Sequence, residues 1–430
     1  MSKSDQIKAI RGMNDVLPLD SHLWLTVERV CADIFDNHGY SQIRTPIVES
    51  TKLFSRSIGT ETDIVSKEMY TFEDRNGDSL SLRPEGTACC VRAGIENGLF
   101  YNQQQRIWYV GPMFRHERPQ KGRYRQFHQI GAECYGWDTP DVEAEVLAMT
   151  AQIFSKLGLQ KTNLQINSLG DRQTRADYRE ALLSYLEGHK GALDEDSLRR
   201  LTTNPLRILD SKNAAVQEVL VDAPGILDYL SEQSANRFNQ LQSYLDALDV
   251  YFEINQRLVR GLDYYNDTVF EWVNEGFGAQ ATVCAGGRYD GMVEQLGGVA
   301  TPGFGFAMGL ERLILILKEQ DIEQFHKPKQ PDVFIISDLE TARSQALVIQ
   351  QTLSTNGILT ELHCGGGSLK NQFKRADKSG AKIAIIIGED EVLKKMVGIK
   401  PLIRTDHSVE QQNIVQNDVL NAVTNLLESL

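Results

Sequence analysis

Two runs of alternating apolar and polar residues, RIWYVGPMFR and RQFHQIGAECYG, stand on either side of the short polar segment HERPQKGRY. A period of two is typical of β-strands whose faces differ, and polar residues rich in proline and glycine are typical of a connecting loop. The region from about Gln105 to Trp137 therefore predicts a long β-hairpin.

The second strand of this hairpin has two chemically different faces. Alternation places Phe127, Gln129 and Glu133 on one face, with Gly131 between them. The opposite face carries mainly apolar residues, namely Ile130, Ala132 and Cys134, together with His128. A ring, an amide and a carboxylate on one surface indicate a candidate site.

Residues 171–248 change to a helical pattern, with apolar residues three and four positions apart. Strand-like segments return at VYFEINQRLVRGLDYYNDTVFEWV and ATVCAGGRYDG. We therefore expect one sheet-based domain over residues 1–325 that is interrupted by a helical insert at 171–248.

A second boundary is predicted at FHKPKQPDV, where two prolines stand in a polar stretch. Residues 331–430 then alternate between strand-like and helix-like segments, which predicts a small α/β domain. From Lys327 onward, 12 basic residues balance 12 acidic ones, so the net charge of −13 arises entirely upstream. The carboxy-terminal domain is thus the more favourable place for a polyanion.

Several classes of protein are excluded. The longest aliphatic runs, such as Ile383–Ile387, are far shorter than the roughly 20 residues that span a bilayer. The amino terminus lacks the features of a secretory or transit peptide, so a cytoplasmic protein is expected. The six cysteines form no C-x-x-C pair, which predicts buried thiols and neither a zinc site nor disulfides.

Common nucleotide and zinc motifs are also missing. No P-loop occurs, the spacing of Gly303, Gly305 and Gly309 is one residue too long for a dinucleotide fingerprint, and Gln120 stands where H-E-x-x-H needs its second histidine. Nucleotide chemistry in this chain must use another framework.

The hairpin loop from Arg115 to Arg125 has a local charge of +4, and arginine forks suit phosphate oxygens. On charge alone, a solvated basic loop is an equal interpretation. The segment GFGFAMGLER, from Gly303 to Arg312, reads as a glycine-rich strand that turns into a helix beginning with an arginine. The two segments together favour a phosphate site.

These segments resemble the motifs of class II aminoacyl-tRNA synthetases. Phe114-Arg115-His116-Glu117 with its hairpin is similar to motif 2, GFGFAMGLER to motif 3, and HGYSQIRTPIVES with Pro46 to motif 1. RLVRGLDYYNDTVFE and AGGRYDG resemble the two signature peptides of histidyl-tRNA synthetases, and RPEGT and NPLRILD also match. The resemblance runs essentially end to end, with no departure at any motif position that can be placed.

The resemblance implies an α+β fold: an antiparallel catalytic sheet flanked by helices, the helical insert, and a carboxy-terminal α/β domain that binds the anticodon arm. It implies a histidine–tRNA ligase, which activates L-histidine with ATP and transfers it to the 3′ end of tRNA(His). ATP is a substrate, Mg²⁺ is expected mainly on its phosphates, and no metal is expected on protein ligands. Motif 1 implies a homodimer, and no membrane is involved.

Catalysis is expected from positioned cations and not from a covalent nucleophile. By resemblance, Arg115 contacts the α-phosphate and the histidine carboxylate, and Arg260 lies on the other side of the same phosphate. An ordinary salt bridge from Arg260 to Asp263 or Glu271 is the alternative.

The resemblance also implies the ATP contacts. Adenine is expected to stack between Phe127 and Arg312, Glu117 to accept from its amino group, and Arg123 to reach the outer phosphates. For Phe127 a core position is the alternative, but its place beside Gln129 favours the site.

For histidine, the resemblance implies Glu133 and Tyr265 on the imidazole nitrogens and Tyr264 along the pocket. Glu85, Thr87 and Gln129 are expected near the α-amino group, with Arg115 and Arg260 at the carboxylate. A structural role is the alternative for Glu133 and for both tyrosines. A site that bonds both ring nitrogens needs no editing domain.

For tRNA, Arg118 and Gln120 in the hairpin loop resemble positions that approach the acceptor end. In the last domain, basic residues that recur along one predicted helix are expected near anticodon-arm phosphates, or equally on a solvated face: Lys370, Lys374, Arg375, Lys378 and Lys382.

A rival hypothesis is a histidine-sensing regulatory paralogue without ligase activity. Such proteins typically lack the last domain and the signature arginines, whereas this chain keeps Arg115, Arg260, Arg312 and an α/β tail. The ligase is therefore favoured.

Overall fold

The computed structural model describes residues 7–59, 62–276, 282–320, 330–337, 340–403 and 411–430. The chain divides into two compact units, Met1–His326 and Lys327–Leu430. Part of the predicted boundary segment, 325–329, lies outside the described residues.

The first unit contains ten α-helices among its described residues. They are α1 (Pro18–Asn37), α2 (Thr51–Ile58), α3 (Thr87–Glu96), α4 (Pro140–Lys156), α5 (Arg172–Glu187), α6 (Glu195–Thr203), α7 (Ala214–Val219), α8 (Glu232–Ala247), α9 (Met292–Gln295) and α10 (Leu310–Glu319). Its strands are β1 (Ser41–Gln42), β2 (Val48–Ser50), β3 (Thr71–Glu73), β4 (Ser79–Leu82), β5 (Gln105–Phe114), β6 (Gln126–Tyr135), β7 (Thr162–Ser168), β8 (Glu253–Ile254), β9 (Asn266–Asn274), β10 (Thr282–Arg288) and β11 (Gly303–Gly309).

The predicted hairpin is confirmed. β5 and β6 pair antiparallel from Gln105 opposite Tyr135 to Phe114 opposite Gln126. They lie in a sheet of order β1-β5-β6-β11-β10-β9-β7-β8, in which the described inner pairs are antiparallel and the two edge strands β1 and β8 pair parallel. The predicted strand-to-helix turn is also present, because β11 runs directly into α10.

The two faces of this sheet pack differently. Ile130, Ala132 and Cys134 point into a core that includes apolar residues of α1, α4 and α10. The opposite face packs against α2, α3 and helices of the insert, and there Phe127 lies at the border of a second core. The period-two prediction for β6 therefore places the polar set on the face away from the main helical layer.

One predicted strand segment is wrong in part. Residues 255–265 form no strand, because β8 ends at Ile254 and β9 begins only at Asn266. Side chains donate hydrogen bonds to carbonyls of this segment that would otherwise pair with a neighbouring strand. Asn167 donates to Leu258 O, Arg207 to Arg260 O and Arg175 to Tyr265 O. The segment is a loop held from outside its own sheet.

The predicted insert is helical, but its last helix has a different role from the others. α5, α6 and α7 place their buried residues in the second core. α8 instead buries Phe238, Leu241 and Leu245 in the main core, where it packs against α4. The part of the insert that packs into the second core thus ends before α8.

The second unit has strands β12 (Val333–Ser337), β13 (Thr360–Leu362), β14 (Ile383–Ile387), β15 (Met396–Pro401) and β16 (Gln412–Val415), with helices α11 (Ala342–Thr355), α12 (Leu369–Ser379), α13 (Glu389–Lys394) and α14 (Val419–Ser429). β13, β12 and β14 are parallel, and β15 and β16 extend the sheet antiparallel. α11 and α14 pack on one face and α12 on the other, as an α/β domain requires.

No helix in the described ranges has the length and apolarity needed to cross a membrane.

Candidate active site

A cavity of about 400 Å³ opens between the hairpin, the loop 259–265 and the start of α10. Eleven of the residues predicted for substrate binding line it: Glu85, Thr87, Arg115, Glu117, Arg123, Phe127, Gln129, Arg260, Tyr264, Tyr265 and Arg312. The structure thus brings together side chains that are spread over more than half of the first unit.

Each side chain reaches the cavity for a local structural reason. Arg115 directly follows β5, and Phe127 and Gln129 occupy alternate positions on the inward face of β6. Arg312 lies in the first turn of α10, next to the glycine-rich end of β11. Arg260 comes from the loop between β8 and β9.

Two arginines in the cavity have no carboxylate partner within the described part of the chain. Arg115 donates from Nε to Pro84 O at 2.9 Å, and its Cζ lies 5.2 Å from the Phe127 ring centroid. Arg312 donates to Gly122 O at 3.1 Å and to Thr282 O at 2.6 Å. Burial lowers the pKa of both guanidinium groups, and nearby arginines lower it further. Both charges therefore favour an anion in the cavity.

Arg260 forms the salt bridge that was the alternative interpretation, and its partner is Glu271. Burial opposes the charge of Arg260, but Glu271, Tyr265 and Tyr264 together outweigh burial and raise the pKa of the guanidinium. Glu271 also accepts from Thr282 Oγ1 at 2.7 Å. The Nε of Arg260 is buried without a hydrogen-bond partner among the described residues, so the ion pair leaves one donor unused.

The hairpin loop shows a pairing that sequence reasoning missed. Arg123 forms an ion pair with Glu117, and its guanidinium also lies 3.8 Å from Glu68. Arg118 and Gln120 are exposed on the same loop and do not line the cavity. The basic loop is therefore divided into an inner, paired part and an outer, exposed part.

Glu133 lies under the cavity floor and not in its lining. Its carboxylate is fully buried, and it accepts from Thr87 Oγ1 at 2.7 Å and from the Tyr289 hydroxyl. Gly305 lies beside it, and a Cβ there would collide with the carboxylate. The glycine of β11 thus provides the space for the glutamate of β6.

Burial raises the pKa of Glu133 to about 8, although hydrogen bonds from Tyr289 and Thr87 oppose the shift. Because the folded protein holds this proton up to a higher pH than the unfolded chain, it binds more protons between pH 4.5 and about 8. We expect the free energy of unfolding to fall across this range, by up to about 1.4 kcal/mol per pH unit.

Urea unfolding of the wild type and of Glu133→Gln at a series of pH values tests this expectation. Tryptophan fluorescence reports on the first unit alone, because all four tryptophans lie there: Trp24, Trp108, Trp137 and Trp272. The variant should lose the downward slope. Parallel curves for the two proteins would show that Glu133 does not titrate in this window.

Further polar groups suited to a small ligand line the cavity. Glu85 accepts from the backbone N–H groups of Thr87 and Ala88 at 2.7 and 2.8 Å, and burial raises its pKa. Gln129 Oε1 is buried without a hydrogen-bond partner among the described residues. An acceptor without a partner and a buried carboxylate in one cavity suit an ammonium group.

The acidic residues of the cavity are mostly engaged with protein groups. Glu117 pairs with Arg123, Glu271 with Arg260, and Glu311 accepts from the backbone and ring of His128. Across the described ranges, no group of three histidine, cysteine or acidic side chains is arranged to hold a metal ion. The donor groups in the described ranges therefore do not form a metal cage of their own.

Sequence reasoning missed three residues that position others. Tyr289 holds Glu133, Glu311 ties α10 to β6 through His128, and Thr282 contacts both Glu271 and Arg312. Tyr289 and Glu311 stand inside segments that the sequence already singled out, AGGRYDG and GFGFAMGLER. The sequence does not show which residues Tyr289 and Glu311 contact in the fold.

Comparison with known families decides the identity of this site. The histidyl-tRNA synthetase family matches residues 12–313, and the anticodon binding domain family matches residues 332–426. The chain belongs to the histidyl-tRNA synthetase family. As a member of this family of aminoacyl-tRNA ligases, the protein is a histidine–tRNA ligase, and its predicted fold class is confirmed.

The chain is also similar to solved structures of histidyl-tRNA synthetases. The chain is similar to apo histidyl-tRNA synthetase of S. aureus, with 37% identity, a TM-score of 0.80, and 97% of this chain and 100% of that chain covered. The Nostoc sp. PCC 7120 histidyl-tRNA synthetase has 20% identity, a TM-score of 0.70, and coverage of 98% and 99%.

A Bacillus halodurans C protein described as an ATP phosphoribosyltransferase regulatory subunit/histidyl-tRNA synthetase has 20% identity, a TM-score of 0.65, and coverage of 89% and 97%. At that identity the similarity shows the fold alone. The 37% identity to a histidyl-tRNA synthetase favours the ligase over the regulatory paralogue.

Proposed function

We propose that the cavity catalyses both steps of histidine–tRNA ligation. The carboxylate oxygen of histidine attacks the α-phosphorus of ATP, and the bond to the bridging oxygen breaks to release pyrophosphate. A ribose hydroxyl at the 3′ end of tRNA(His) then attacks the carbonyl carbon of the adenylate, and AMP leaves. Positioning and cations suffice for the first step, because charge accumulates on phosphate oxygens.

The observation that carries this proposal is the convergence of Arg115 and Arg260 on one cavity. Arg260 is among the charges that lower the pKa of Arg115, so the two guanidinium groups repel each other. An anion between them relieves this repulsion. We assign the α-phosphate and the histidine carboxylate to this position.

Histidine is assigned to the end of the cavity that holds Glu85 and Gln129. The unpartnered Oε1 of Gln129 and the carboxylate of Glu85 suit the α-ammonium group, with Thr87 beside them. Tyr264 and Tyr265 line the same region, with ring centroids 4.6 Å apart. Glu133 and Tyr265 are assigned to the two imidazole nitrogens. Glu133 accepts a hydrogen bond from Thr87. For the Glu133 carboxylate to contact histidine, this hydrogen bond must rearrange.

Replacing Glu133 with alanine tests this assignment. The change removes the carboxylate and leaves Thr87 and Tyr289 without their shared acceptor. We expect the KM for histidine to rise by about 100-fold or more and the KM for ATP by only a few-fold. Steady-state ATP–pyrophosphate exchange measures both constants. An equal rise in the two would reject a role in histidine recognition.

ATP is assigned to the other end, between the hairpin loop and α10. Adenine stacks between Phe127 and Arg312, which requires the Arg115 guanidinium to leave part of the Phe127 face. Glu117 accepts from the adenine amino group, and Arg123 contacts the outer phosphates. Their ion pair shows that the two side chains already lie side by side at the mouth of the cavity.

Magnesium is assigned to the outer phosphates of ATP. The cavity offers no cage of three free acidic or histidine ligands among the described residues, so the phosphates themselves supply its oxygen ligands. When bound, Mg²⁺ neutralises charge on the leaving pyrophosphate.

For tRNA(His), Arg118 and Gln120 are assigned to the acceptor end, because they are exposed on the loop that borders the cavity. In the second unit, Lys370, Lys374, Arg375 and Lys378 are exposed on α12, while Gln372 and Ala376 face the core. This arrangement favours contact between α12 and anticodon-arm phosphates. Lys382, just past the helix, is partly engaged with Asp332 at 2.8 Å.

A homodimer is proposed through the segment that resembles motif 1. Two of its apolar side chains, Ile47 and Val48, are exposed, and such residues favour burial against a second copy. Sedimentation velocity should give twice the chain mass of 48.3 kDa. Active enzyme that sediments as a monomer would contradict this proposal.

We place the protein in the cytoplasm. All six cysteines are free thiols, and five of them are buried. Free thiols persist in a reducing compartment, where ATP and tRNA are also present.

The test of the function is ATP–pyrophosphate exchange with each of the twenty amino acids in turn, in the presence of Mg²⁺ and without tRNA. We expect exchange with histidine alone. Folded protein that binds histidine but supports no exchange would favour the regulatory paralogue.

A further inference from the structure

A second cavity, of about 340 Å³, lies on the far side of the loop 259–265. Its walls are α5, the segment 203–207 and the loop itself, so the two cavities share Val259, Arg260, Leu262 and Tyr265. Nothing in the ligation mechanism above uses this second cavity.

The second cavity is strongly basic. Asp263 is the one acidic residue in its lining. Five arginines also line it: Arg172, Arg175, Arg179, Arg207 and Arg260. Three of the arginines lie on one face of α5, at positions i, i+3 and i+7, where like charges repel each other. This pattern therefore does not stabilise α5 as a helix.

Arg260 is paired with Glu271, but part of the remaining charge has no ion-pair partner among the described residues. Arg172 and Arg179 form no ion pair within the described ranges. Arg175 and Arg207 donate to the carbonyls of Tyr265 and Arg260 at 2.9 and 3.1 Å, which are uncharged partners. A carboxylate, that of Asp63, comes only within 4.0 Å of Arg207.

We propose that this second cavity is a phosphate-binding site, separate from the reaction cavity, for a chain of linked phosphates. Arginine forks match phosphate oxygens, and Arg172 to Arg179 spans about 10 Å along α5, which suits several phosphates in a row and not a single ion. Either a free polyphosphate or the phosphodiester strand of tRNA offers this chemistry. Arg260 and Tyr265 have roles in the reaction cavity, so the inference rests on the arginines to which no role in ligation is assigned above: Arg172, Arg175, Arg179 and Arg207.

The test compares Arg172→Ala/Arg179→Ala with the control variant Lys156→Ala/Lys190→Ala. The control removes the same charge from exposed positions that line neither cavity. Inorganic tripolyphosphate is titrated by calorimetry into the full-length protein. We expect two classes of tripolyphosphate site in the wild type and in the control. In the arginine variant, binding to the second cavity should weaken about tenfold or more. In Arg115→Ala, binding to the reaction cavity should be lost.

Titration with tRNA(His) separates the two sources. Unchanged tRNA affinity with lost tripolyphosphate binding identifies a free polyphosphate, whereas weakening of both identifies the nucleic acid strand. Binding of both probes that is unchanged in the arginine variant, or an equal loss in the lysine control, would overturn the proposal. Histidine-dependent ATP–pyrophosphate exchange is measured on every variant, so that failure of the ligase assignment is seen separately.

Discussion

Arg260→Ala is expected to lower the rate of histidine-dependent ATP–pyrophosphate exchange by about 100- to 1,000-fold, the usual loss when one donor to a transition-state charge is removed. Arg260 lines the reaction cavity and keeps a buried Nε without a hydrogen-bond partner among the described residues. Histidine affinity, measured by calorimetry, should change far less, because Glu85 and Gln129 remain.

The salt bridge to Glu271 provides the matched control. If Arg260 served only to neutralise Glu271, then Glu271→Gln would remove the same interaction and slow exchange equally. If the guanidinium stabilises the α-phosphate, Glu271→Gln should reduce the rate by much less than Arg260→Ala. Equal losses in the two variants, with folding intact, would reject the catalytic role.

Arg288→Met is expected to lower the free energy of unfolding of the first unit by about 3–5 kcal/mol, the usual cost of breaking a buried ion pair on one side. Arg288 is fully buried, and its Nε donates to the equally buried Glu143 at 2.6 Å. Burial opposes its charge, but Glu143 and Asp290 outweigh this effect and raise its pKa. The substitution leaves the Glu143 carboxylate without this partner in the core.

Urea unfolding followed by tryptophan fluorescence measures this loss. The double variant Arg288→Met/Glu143→Leu also removes the fully buried carboxylate and leaves only the partly exposed Asp290 without Arg288, so part of the stability should return. Lys190→Met removes an exposed ion pair with Glu187 and should change stability by less than about 0.5 kcal/mol. A loss of under about 1 kcal/mol in Arg288→Met would show that Glu143 is neutralised by another group, with Arg237 the nearest candidate at 3.5 Å.

Arg288 also shows how a signature peptide serves two purposes. It stands next to Tyr289 in AGGRYDG. Arg288 anchors the peptide to α4 through Glu143, while Tyr289 holds Glu133 under the reaction cavity. The peptide therefore positions the site without lining it with either side chain.

Local patterns were sufficient to predict much of the fold. Alternation predicted β5 and β6 and assigned the faces of β6 correctly, because the period of a strand alone decides which side chains share a face. The glycine-rich segment predicted β11 running into α10, and alternating strand and helix signals predicted the second unit. The motif residues, taken together, indicated the family before any contact was known.

Other features depend on atoms that are distant in sequence, and no local pattern encodes them. The sequence of residues 255–265 predicted a strand. In the fold, Asn167, Arg175 and Arg207 donate hydrogen bonds to the carbonyls of this segment, which forms a loop. α8 read as part of the insert, yet it packs on α4. The hydrogen bonds from Thr87 and Tyr289 that hold Glu133 beneath the floor could not be read from the sequence.

The sequence by itself thus determined the periods of the strands and helices, the two faces of β6 and the residue types of the site. Tertiary structure decided which charges meet: Arg123 with Glu117, Arg260 with Glu271, and Arg288 with Glu143. It also decided which charges are left over, in Arg115 and along α5. The physical reason is that an ion pair depends on the distance between two side chains, and only the folded chain sets that distance.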